Sequence, residues 1–119
     1  MLVFIMAKKT TTTTKNEIER FHAWLATEDP LSIATHVYVD ADAVFSAALL
    51  SVLKPKAQVV FVSADCEIKD SRTLAVDLSK GERAIKGLDV GSAFGLLVLG
   101  MESIDHPIYC ALQKWATQL

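Results

Sequence analysis

The stretch THVYVDADAVFSAALL, residues 35–50, sets one histidine and two aspartates into an otherwise apolar run. His36 and Asp40 stand four residues apart in a segment of strand character, so their side chains leave the same face. Asp42 follows in the turn toward a helix, and a second apolar segment, TLAVDLS, closes on Asp77. If the two strands are neighbours in a parallel sheet, all four groups meet at one rim, beyond the carboxyl ends of the strands where such sheets bind ligands. Carboxylate oxygens with a single imidazole suit manganese or magnesium better than zinc. Ions held there would activate water and neutralise charge developing on phosphate oxygens, which is what phosphoester hydrolysis needs. The candidate metal ligands are therefore His36, Asp40, Asp42 and Asp77, with a phosphate-containing substrate.

The surrounding pattern supplies elements to position them. Asn16 and Glu19 fit a capping box, and Ile18, Phe21 and Leu25 recur at helical spacing, which predicts a helix over 17–26 stopped by EDP at Pro30. SIATHVYV is apolar on both faces and rich in β-branched and aromatic residues, as a central, doubly covered strand should be. A helix is expected over 42–53, with Phe45, Leu49, Val52 and Leu53 on one apolar side and Val44, Ala47 and Ala48 on the other. AQVVFVS predicts a second buried strand and TLAVDL a third. ADCEIKDS, between them, is too short for a crossover helix, so two parallel strands there need a non-standard link. KGERAIKG reads as a charged turn or short helix.

VGSAFGLLVLGM is apolar throughout, and periodicity does not separate a buried helix from a strand there. As a helix it is either core or a surface for homo-oligomer formation. The segment DHPIYCALQKWATQL places Ile108, Leu112, Trp115 and Leu119 on one helical face. The alternation of elements argues for an α/β fold, a mainly parallel sheet flanked by helices, in a single domain over residues 16–119.

A chain of 119 residues suits one domain, and a net charge of −2 argues against nucleic-acid binding by general electrostatics. Cys66 and Cys110 are far apart and lack metal-ligand spacing, which points to a reducing cytoplasm and away from zinc or a disulfide framework. MLVFIM is too short for a membrane span or signal peptide. MAKKTTTTTK reads as an ordinary polar start, so translation is expected to begin at Met6. Residues 1–15 are expected to be disordered, because the threonine run has no apolar face.

HVYVDADAVFSAALL resembles the first motif of the DHH phosphoesterase superfamily, which includes RecJ-like nucleases, oligoribonucleases and exopolyphosphatases. The motif's His, Asp and Asp match His36, Asp40 and Asp42, followed by a helix rich in small residues. AVDLS is similar to the second motif, whose aspartate, matched by Asp77, bridges two manganese ions. The resemblance spans roughly residues 32–80 and implies a parallel-sheet domain that hydrolyses phosphodiester or phosphoanhydride bonds with two metals. The Asp-His-His third motif is not found. Asp105-His106-Pro107 offers one histidine, and if VGSAFGLLV matches the Ser-Ala-Gly-Leu-Val segment after that motif, the triplet has been lost near KGERAIKG. The family's C-terminal substrate-binding domain has no counterpart here, so the expectation is a degenerate relative, a fragment, or a domain completed by a partner.

Each candidate also has a purely structural reading. Asp40 can cap the following helix, Asp77 can serve a turn, and His36 can be a satisfied core histidine. Asp105 is expected to N-cap the last helix, with Pro107 in its first turn and Ile104 as a hydrophobic staple. His22 reads as a packing or surface residue. Gly91, Gly95 and Gly100 suit close helix packing, and neither GxGxxG nor a P-loop is present. VYVDADAVF also fits haloacid dehalogenase-like phosphatases, with Asp40 as nucleophile, Asp42 as acid, Ser63 and Lys80 in support and no task for His36. A non-catalytic oligomerisation or ligand-sensing module is the other alternative. The expectation is a manganese-dependent phosphoesterase domain with weak or absent hydrolysis.

Overall fold

A computed structural model of the chain describes residues 11–38, 40–109 and 111. Its elements run α1 (Thr12–Ala26), β1 (Ser32–His36), α2 (Ala41–Leu53), β2 (Gln58–Val62), β3 (Thr73–Val76), β4 (Ala84–Ile85) and α3 (Ala93–Ser103). The strands form one all-parallel sheet in the order β2-β1-β3-β4, so the expected α/β architecture is present. As anticipated, β1 lies inside the sheet and residues 33–36 of it are buried, but the strand ends at His36, and Val37 and Tyr38, expected to continue it, are exposed.

Alternation along the strands divides the sheet into two faces. Ile33, Leu74, Val76 and Ile85 enter one core with Phe21 and Trp24 of α1, Leu49 and Leu50 of α2, and Leu96, Leu97 and Met101 of α3. Ala34, Ala75 and Ala84 face the other way, beneath Leu78 and the half-buried Ile68. That second layer is loop. The chain passes from β2 across β1 to β3 through residues 63–72, the non-standard link expected from its length. An isolated parallel bridge between Ile68 and Gly81 ties this link to the β3–β4 connection.

Several sequence expectations are corrected. The first helix begins at Thr12, not residue 17, because Thr11 Oγ1 caps Thr14 N–H at 3.1 Å and donates to Asp89 Oδ2 at 2.7 Å. Residues 11–15, expected to be disordered, are thus the capped start of α1. The rest of that segment, and the proposed start at Met6, lie outside the described residues. The buried face of α1 is Thr14, Glu17, Phe21 and Trp24, two of them polar and invisible to an apolar count. β2, expected to be buried, is the sheet edge, with Phe61 55 % exposed. KGERAIKG contains β4 instead of a turn or helix.

VGSAFGLLVLGM resolves as helix α3, and residues 95–101 are all buried, so the apolar run is core and not a surface for self-association. A Cβ at Gly100 would lie 2.7 Å from Phe21 Cδ2, which explains why α1 and α3 pack closely there. Residues 107–109 are helical and Ile108 packs on the core, while Leu112, Trp115, Leu119 and Cys110 lie outside the described residues. Asp105 is exposed with φ 52°, and Ile104 is 47 % exposed, not a staple. The cap contact at this turn comes from His106, whose Nδ1 accepts from Ile108 N–H at 3.2 Å. Among the described residues no helix is long and apolar enough to cross a membrane.

Gly87 links β4 to α3 with φ 69°, and a Cβ there would lie 2.0 Å from Ser92 O. Gly87→Ala combines left-handed backbone with a main-chain clash and should cost at least about 2 kcal/mol in urea denaturation. A change below about 0.5 kcal/mol, the range of an inert surface substitution, would contradict this account of the loop.

Candidate functional site

Parallel strands lie about 4.8 Å apart, so residues in register on one face form a row across the sheet. Ala34 pairs with Ala75, which brings His36 and Asp77, each two residues further on, opposite one another. Val76 pairs with Ile85, which brings Asp77 opposite Lys86. The row is therefore His36, Asp77, Lys86, at the carboxyl ends of β1, β3 and β4. His36 Nε2 donates to Asp77 Oδ2 at 2.8 Å, and Lys86 Nζ donates to Asp77 Oδ1 at 2.9 Å. With Asp77 ionised and accepting, the Nε2 of His36 carries the proton.

Asp77 is only 6 % exposed. Burial works to raise its pKa, but the hydrogen bonds and charges of Lys86 and His36 outweigh this and hold the carboxyl below its ordinary value. Its φ of 58° ends β3 in the left-handed region, which aspartate tolerates better than most residues.

Asp40 reaches the same place by a different route from the one its spacing suggested. β1 ends at His36, so the four-residue offset is not two strand repeats. Instead Asp40 sits in extended backbone as the N-cap of α2, and Oδ1 accepts from Ala43 N–H at 2.9 Å. Its other oxygen, Oδ2, lies 4.0 Å from His36 Nε2. The capping role and the site role thus use different oxygens of one carboxylate. Ligand atoms of His36, Asp40 and Asp77 all lie within 4.8 Å of one another.

Asp42 does not join them. Oδ2 accepts from Ala93 N–H at 2.9 Å and Oδ1 from Phe94 N–H at 2.8 Å, so the carboxylate clamps the first turn of α3. Ser92 caps the same helix by accepting from Gly95 N–H. A negative group is well placed at this positive end of a helix dipole. The assignment of Asp42 as a metal ligand is corrected accordingly, because both oxygens hold backbone.

Lys86 was missed in the sequence because KGERAIKG looks like a polar turn. The available signal was the dipeptide Ala84-Ile85 followed by a charged residue, the same strand-then-charge pattern that marks Asp77. The residues of the haloacid dehalogenase reading stand differently: Ser63 is exposed and donates to Asp65, and Lys80 is exposed. His22 is a packing residue whose Nε2 donates to Gly100 O at 2.8 Å. Comparison with family models, curated proteins and solved structures returned no match.

Two measurements test these assignments. Asp42→Ala leaves two N–H groups at the start of α3 without their carboxylate and should lower unfolding stability by about 1–3 kcal/mol. Stability equal to wild type would remove the clamp role. Because Asp77 has a lowered folded-state pKa, its contribution is fully present above the unfolded-state value of about 4 and fades as pH falls through the folded value. The stability gap between wild type and Asp77→Asn should therefore shrink as pH drops from about 5 to about 2. A gap independent of pH would show that the ionised form of Asp77 is not what stabilises the fold.

Proposed function

We propose that this chain binds one divalent cation, manganese or magnesium, through His36, Asp40 and Asp77, and uses it to engage a phosphate-containing ligand as a DHH-like phosphoesterase domain of low hydrolytic power. The observation that carries this reading is the convergence of the three side chains at the carboxyl ends of parallel strands. Their ligand atoms lie within 4.8 Å of one another, near enough to converge on one ion. One imidazole with carboxylate oxygens also suits these ions.

When bound, the ion supplies Lewis-acid polarisation and charge neutralisation to a phosphoryl group. The chain's own residues do the rest. Asp77 is held ionised, ready to coordinate through Oδ2. To present an Nε2 lone pair His36 would carry its proton on Nδ1 instead, so ion binding would need the other tautomer. Asp40 is anchored by its cap contact while Oδ2 faces the cluster, and its side chain is 61 % exposed, which leaves the ligand an open approach. With Asp42 engaged by α3, one of the four expected ligands is withdrawn, which is why weak or absent turnover is expected.

Calorimetric titration with Mn²⁺ should give one saturable site per chain. It should be lost in His36→Ala and Asp77→Asn and weakened in Asp40→Asn, a change that keeps a good helix cap. Asp42→Asn should retain the site. No saturable binding by the wild type, or binding that survives His36→Ala, would end this reading. Strong manganese-dependent phosphodiester hydrolysis that disappears in Asp77→Asn would show instead that low turnover is the mistaken part.

A further inference from the structure

The two oxygens of Asp77 face two different partners. Oδ2 points to His36 and, on the reading above, to the divalent ion; Oδ1 is held by the Lys86 ammonium. Asp77 would thus stand between the ion and a cation that is already part of the chain. We infer that Lys86 is the built-in second cation of this site, and that a phosphoryl group is held between the divalent ion and the Lys86 ammonium. This inference rests on the divalent-ion reading.

Three observations support it. First, the backbone that carries the ammonium is fixed in place. Lys86 N–H donates to Glu17 Oε2 at 2.7 Å and Gly87 N–H donates to the same oxygen at 3.3 Å. Glu17 is 5 % exposed on α1, so a buried carboxylate from a different element sets the backbone from which Lys86 reaches Asp77.

Second, the carboxylates that could hold another ion have other tasks. Glu17 binds the backbone of Lys86 and Gly87, and Asp42 binds that of Ala93 and Phe94. A second divalent ion at Oδ1 would have to displace Lys86 from both Oδ1 and the Asp77 backbone O.

Third, Lys86 retains donor capacity. An ammonium has three N–H groups, and two point to Asp77, at Oδ1 and at the backbone O 3.3 Å away. The Lys86 side chain is 37 % exposed, so the remaining donor can meet a ligand arriving from solvent. Charge agrees with this. Asp40 and Asp77 contribute −2, the ion +2 and Lys86 +1, which leaves the loaded site at +1 and attractive to a phosphate anion. Without Lys86 the same site would be neutral.

The test uses the full chain, with Mn²⁺ and inorganic phosphate as the probes. Wild type should take up one Mn²⁺ with the electron paramagnetic resonance spectrum of an isolated ion, and should bind phosphate only when loaded. Lys86→Met should keep the Mn²⁺ site at equal or greater affinity, because a nearby positive charge is gone, while phosphate affinity falls about tenfold or more, the loss of one charge-assisted hydrogen bond. Lys86→Gln, which keeps a donor for Asp77 without the charge, carries the same expectation should the methionine variant not fold. Lys86→Arg should recover most of the phosphate affinity.

Phosphate affinity unchanged within about twofold in the Mn²⁺-loaded Lys86 variants would overturn the inference while leaving the metal site standing. A spectrum of two coupled Mn²⁺ ions in wild type would overturn it as well. No saturable Mn²⁺ binding in wild type would remove the divalent-ion reading and this inference together.

Discussion

A buried carboxylate must be compensated or it loses its charge, and Asp77 is the point at which this chain meets that constraint. Compensation comes from His36 at the end of β1 and from Lys86 just after β4, the strands on either side of β3. One ionised group therefore ties together the carboxyl ends of three strands that share no helix crossover. β4 is only two residues long and makes few ladder bonds of its own. Its position depends on contacts made by the next two residues: the Lys86 side chain on Asp77, and the Lys86 and Gly87 amides on Glu17.

Carboxylates perform a common task elsewhere in the molecule. Glu17 receives two backbone amides after β4, Asp42 receives two at the start of α3, and Asp40 receives one at the start of α2. Backbone donors left over at helix starts and loop turns are costly if buried unpaired. Each is met here by an acidic side chain from a distant or neighbouring element. Asp40 and Asp77 differ from the others in using one oxygen, or one side of the carboxylate, for structure while the remaining oxygen faces His36. At Asp40 the helix cap uses one oxygen and leaves the other turned toward His36.

The fold places this row at an open rim. Helices α1, α2 and α3 fill one side of the sheet with the large apolar side chains, whereas the His36 and Asp77 side rests under loop and is lined by alanines. Small side chains there meet the covering residues Leu78 and Ile68. Asp40 and Lys86 remain accessible beside a buried His36–Asp77 pair, an arrangement suited to holding a small charged ligand and not to enclosing a large one.

By itself the sequence determined the fold class and named three residues that the fold brings together, His36, Asp40 and Asp77. Apolar runs containing β-branched residues marked β1 and β3, the small-residue run after Asp42 marked α2, and the short link at residues 63–72 announced an unusual crossover. His36 and Asp77 were legible because each closes an apolar strand with a group able to bind an ion. The roles of Asp42, Lys86 and Glu17 were decided only by tertiary structure. Asp42 and Lys86 act on partners 51 and nine residues away, and Glu17 on an amide 69 residues away, whereas spacing reports only which groups share a local face. The edge position of β2 and the strand hidden in KGERAIKG escaped for the same reason. Strand order and hydrogen-bonding neighbours follow from packing against the whole sheet, which no local window of residue types contains.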